Sequence, residues 1–189
     1  MLATDTLTAL FRDLIRTAMT AQQVESNEAT EFYLVNLLEA FVRPVRADLL
    51  DPPLGLDYLA ALHLPASQRF DKLKRVADTA LFITGVFVES LERSLVGPEY
   101  YAAIGRNAYA TLSAQPPRAA LADLFGELAG RFPEFVRVLT EISTQELFRG
   151  QQDTLRLYRR WLETRGQREA DLLVRRGIIP FAPSTHQRH

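Results

Sequence analysis

The chain has 189 residues, 47% of them hydrophobic and 24% charged, enough for one sizeable buried core. A net charge of −1 supplies no global attraction to nucleic acid or to an anionic membrane, both of which need an excess of uncompensated cations. The absence of cysteine excludes disulfides, thiolate catalysis, cysteine-held iron–sulfur clusters and cysteine zinc sites.

The N-terminal stretch MLATDTLTALFRDLIRTAM lacks the basic start and unbroken apolar centre of a signal peptide, and Asp5 and Asp13 argue against a transit peptide. The cytoplasm is the expected compartment. Of the 22 cationic residues 20 are Arg, and only Lys72 and Lys74 are Lys, a usage that suits a GC-rich bacterial genome.

A first helix is predicted from about residue 5 to 22, because Leu7, Leu10, Phe11, Leu14, Ile15 and Ala18 repeat at the 3,4 spacing of one helical face. A second begins near ESNEATEF, where Ser26 or Asn27 can cap free amides, and ends at Pro44. DPPLG, residues 51 to 55, is predicted to be a turn, followed by a short helix from Tyr58 to Leu62.

A long helix is expected over about 66 to 95, starting after Pro65 and stopping at VGP. Its first half has one apolar stripe, Phe70, Leu73, Val76, Ala77, Ala80 and Leu81, whereas the second half, through DTALFITGVFVES, is apolar on every side. The uncharged run between Asp78 and Glu89 has ten residues, nine of them from Ala80 to Val88, and charges on both flanks, too short for the about 20 that a membrane span requires. It is expected to be the central core helix.

Further helices are predicted over about 99–113, 118–131, 134–148, 153–163 and 167–176, punctuated by proline and glycine, with a tail from 178 to 189. GIIPF is the only stretch with any strand character, and Pro180 interrupts it. The expected fold is all-α: one multi-helix bundle of about seven to eight helices around the central helix, with residues 1–177 forming a single domain.

Several groupings could carry chemistry. Glu25, Glu28, Glu31 and Glu39, with Glu89 and Glu92, repeat spacings found in di-metal carboxylate bundles, but no Glu-x-x-His accompanies them. Helix-dipole effects and an i,i+4 pair with Arg93 explain them, so no metal or other cofactor is expected. Asp78 stands where the central helix becomes apolar all round. It can pair at the surface with Lys74 or Arg75, or be buried against a tyrosine of the 99–113 helix.

Asp78, Phe82, Phe87, Tyr100, Tyr101 and Tyr109 are the candidate lining of a pocket for a small apolar or aromatic ligand, with Gly85 and Gly105 marking either close helix packing or free space. Residues 149–189 carry +5 and residues 1–148 carry −6, and RLYRRWLETRGQR interleaves aromatics with Arg156, Arg159, Arg160, Arg165 and Arg168. Leu155, Tyr158, Trp161 and Leu162 make an ordinary apolar stripe there, which favours a solvated or internally paired basic face over nucleic-acid binding.

No nucleotide-binding, serine-hydrolase or zinc-protease signature occurs. Without a catalytic set, the leading expectation is a non-catalytic bundle that associates with itself or with a partner protein through a surplus apolar face. The small-ligand pocket is the alternative.

Overall fold

A computed structural model describes residues 2–42, 54–91, 96–114, 121–144 and, between 153 and 175, residues 153, 157, 160, 161 and 164–175. Among them the chain is helical, with no strand. The helices are α1 (Leu2–Ala21), α2 (Glu28–Val42), α3 (Leu54–Leu62), α4 (Ala66–Val86), α5 (Val88–Leu91), α6 (Pro98–Ser113), α7 (Ala122–Gly130), α8 (Phe132–Ser143) and α9 (Gln167–Arg175). The fold is a multi-helix bundle, as the apolar periodicities require.

Local signals explain the boundaries. α1 closes with the Val24 N–H on the Met19 carbonyl at 2.9 Å, and Gln23 between them takes the left-handed φ of 53°. α2 starts from Asn27, whose Oδ1 accepts the Thr30 N–H at 2.9 Å, so Asn27 is its cap. Pro98 and Pro133 each occupy a first turn, where a missing N–H costs nothing.

α4 is the centre. It packs against α3, α6 and α8, and its buried set is one-sided at Phe70 and Leu73, then continuous from Val76 to Val86. The transition from stripe to full enclosure lies where the sequence pattern places it. The helix is nevertheless shorter than the expected span to 95: at Phe87 the backbone bends, with φ −117° and ψ 25°, and α5 begins at Val88. Periodicity of apolar residues continues across such a bend, so it does not mark one. The predicted turn also overshoots, since Leu54 and Gly55 already belong to α3.

Residues 51–53, the 92–95 end of the expected long helix, most of the 153–163 basic helix and the tail from 178 lie outside the described residues. No helix among those described is long and apolar enough to cross a membrane.

One contiguous core takes side chains from α1 through α8, among them Phe11, Leu34, Leu54, Leu73, Leu91, Ala108, Phe125 and Leu139. Two glycines let α4 and its neighbours approach. A Cβ on Gly85 would stand 2.5 Å from the Leu139 Cβ, and one on Gly105 would stand 2.6 Å from the Phe132 ring and 2.9 Å from the Ala80 Cβ. The close approach at Gly85 also lets the Thr140 hydroxyl of α8 donate to the Gly85 carbonyl at 3.0 Å. Gly85→Ala and Gly105→Ala are each expected to lower stability by about 1–3 kcal/mol through overpacking, despite a helix-propensity gain of about 1 kcal/mol. Urea denaturation decides the matter, and a gain in stability in either variant would mean that the helices are not in close contact there.

Candidate functional site

The structure brings Asp78 to the meeting point of three helices. Asp78 lies on α4 one turn after Lys74, and Lys74 Nζ donates to Asp78 Oδ2 at 2.6 Å. From α6, the Tyr109 hydroxyl donates to Oδ1 at 2.8 Å, and from α2 the Tyr33 hydroxyl donates to the same oxygen. The two arrangements considered from the sequence, a buried tyrosine bond and a Lys74 ion pair, therefore coexist on opposite oxygens of one buried carboxylate.

The surroundings are aromatic. Tyr109 stacks on Phe125 of α7 at 6.0 Å, Tyr33 meets Phe125 edge-on at 5.9 Å, and Phe70 and Phe132 close the remaining sides. Lys74 Nζ sits 4.9 Å from the Tyr33 ring centroid, adding a cation–π contact to its ion pair. Burial, then the adjacent Asp78 charge, pushes both phenols well above their ordinary value. Both stay protonated and act as donors. Three donors on one carboxylate form a saturated joint between helices and leave little acceptor capacity for a substrate.

The six candidate pocket residues fall into three settings. Asp78 and Tyr109 share the joint. Phe82 and Phe87 are core residues, with Phe82 stacked on Phe41 at 4.4 Å and meeting Phe87 edge-on at 5.6 Å. Tyr100 is exposed and Tyr101 half-buried, their rings 5.5 Å apart. The space opened by Gly85 and Gly105 is filled by Leu139 and by Phe132 with Ala80.

A second polar joint escaped the sequence analysis. Glu127 of α7 accepts hydrogen bonds from Ser26 at 2.9 Å, Asn27 at 2.9 Å, Thr30 at 2.7 Å and Arg131 at 2.8 Å. It brings a carboxylate to the positive end of α2, where backbone amides are free. Arg131 continues the network to the Glu25 carbonyl and to Glu134, and its hydrogen bond holds the Glu134 carboxyl below its ordinary value. The available signal was a glutamate alone on the short apolar helix ADLFGELAG, opposite the donor-rich sequence ESN.

Glu31 turns to Arg16 at 3.1 Å and Glu39 accepts from Thr8, and no group of three metal-binding side chains converges among the described residues. The chain matches no family model, no curated protein and no solved structure.

Asp78→Leu strands two phenol hydroxyls and is expected to cost about 1–3 kcal/mol more than Asp78→Asn, which retains an acceptor. Adding Tyr33→Phe and Tyr109→Phe to the leucine variant should recover most of that loss. Equal, small losses in both single variants, measured by chemical denaturation, would show that the joint carries no weight.

The phenols also set an alkaline limit. Their folded values lie above the unfolded value near 10, so their contribution is complete below about pH 10 and is lost as pH rises beyond it, by at most about 1.4 kcal/mol per pH unit for each phenol. The Tyr33→Phe/Tyr109→Phe variant should show a flatter fall in stability between pH 9 and 11, roughly the window in which free phenols titrate. A slope matching that of the parent chain would contradict the assignment.

Proposed function

We propose that the protein acts in the cytoplasm through protein–protein association, not catalysis. One observation carries this: among the described residues, four of the eight exposed large hydrophobics lie on α3 (Leu56, Leu59), in the first turn of α6 (Tyr100) or two residues before α6 begins (Val96). These elements adjoin, because the Tyr100 hydroxyl occupies the space beside the Gly55 backbone where a Cβ would be.

α3 explains why the patch is solvent-facing. Leu54 and Ala61 are seven residues apart and share its buried face, with Tyr58 and Leu62 packed beside them. At about 100° per residue, Leu56 and Leu59 then point away from the core, and they are 62% and 53% exposed. A polar residue at either position would serve folding equally well. Contiguous exposed apolar surface of this kind marks an interaction face.

At concentrations where the chain is monomeric, the dye 8-anilinonaphthalene-1-sulfonate should bind this face. The Leu56→Glu/Leu59→Glu variant should lose most of that binding while keeping the parent melting temperature within about 3 °C, because neither side chain supports the core. Absence of dye binding by the parent chain would defeat the reading.

A further inference from the structure

We infer that the α3 face takes a second copy of this chain, packed across a two-fold axis with the two α3 helices antiparallel. The inference rests on the association reading above and goes further by fixing the occupant. Its basis is the distribution of charge along the face.

The N-terminal end of α3 is bordered by the first turn of α6, where exposed Glu99 precedes Tyr100. The C-terminal end is bordered by exposed His63 and by Arg69, whose guanidinium donates to the Leu64 carbonyl at 2.9 and 3.1 Å. One end is thus acidic and the other basic. Along the flank, Asp57 is already matched by Lys72 at 2.6 Å and adds no net charge. A parallel pairing would set Glu99 against Glu99. An antiparallel two-fold pairing sets Glu99 of each copy near Arg69 of the other and opposes the two helix dipoles, while Leu56 of each copy meets Leu59 of the other around the axis.

The size of the face sets the strength of the dimer. α3 has nine residues, about 13 Å of helix, and four large side chains at most two-thirds exposed cannot cover the about 800 Å² per partner of a standard stable interface. A reversible dimer in the micromolar-to-millimolar range follows, not a permanent one.

Cysteine chemistry can test the axis without interference, because the chain has none of its own. Sedimentation equilibrium of the full chain should show the mass rising with concentration from 21.4 kDa toward twice that value. A mixture of Leu56→Cys and Leu59→Cys chains should form disulfide dimers on mild oxidation more readily than either chain alone. Phe32→Cys, at a position equally exposed on α2, should not. Leu56→Glu/Leu59→Glu should remain monomeric throughout, and Glu99→Arg should weaken the parent dimer about three- to fivefold at low salt.

A constant mass of 21.4 kDa at every concentration overturns the inference, and so does a dimer that survives Leu56→Glu/Leu59→Glu, or that cross-links through Phe32→Cys, or through either leucine-site cysteine alone, as readily as through the mixture. The dye measurement separates the two levels. A monomer that still binds dye through Leu56 and Leu59 leaves the association reading in place and removes only the second copy, whereas a monomer that binds none removes both.

Discussion

A helix enclosed on every side can carry a charge only where its neighbours supply compensation, and that constraint shapes this bundle. α4 is buried continuously from Val76 to Val86, and Asp78 is the carboxylate inside that run. Leaving it unpaired would cost several kcal/mol, more than a marginally stable fold can spare. Tyr33, Tyr109 and Lys74 meet the requirement, and the two tyrosines thereby fix where α2 and α6 cross α4. Apolar packing tolerates small slides along a helix, but a hydrogen bond to a single oxygen does not.

Glu127 applies the same logic at the edge of the bundle. It ties α7 to the start of α2, so α2 is held by a carboxylate at its N-terminus and by Tyr33 one turn further along. The Asp78 joint lies against Phe125, which meets the rings of Tyr33, Tyr109 and Phe70. Polar pairs set the register, and the aromatic cluster around Asp78 keeps water from competing for its hydrogen bonds.

The parts of this arrangement readable from the sequence are those that leave a one-dimensional trace. Burial of one helical face repeats every three or four residues, so the stripe and its change to full enclosure in α4 were visible, whereas the meeting of Asp78 with the 99–113 helix was one of two alternatives. Tyr33 left no such trace. It stands between Phe32 and Leu34 on a helix whose apolar residues surround it, and its partner is 45 positions away. Glu127 is about 100 positions from Ser26 and Asn27. The bend at Phe87 was hidden for another reason, since the residues on both sides of it are apolar and neither proline nor glycine stands at the bend itself.

The contrast between α4 and α3 carries the functional argument. Both are apolar beyond what one buried stripe needs, yet the surplus in α4 is consumed by α6 and α8 while the surplus in α3 faces water. In α4 the excess is matched by glycines that admit Leu139 and Phe132 to contact, so sequence and packing agree. In α3 the one glycine, Gly55, instead seats Tyr100, whose ring extends the outward apolar surface. The same chain that encloses Asp78 leaves Leu56 and Leu59 exposed. Exposed apolar surface is what the proposed association would use, and the charges at the ends of α3 would orient the second copy.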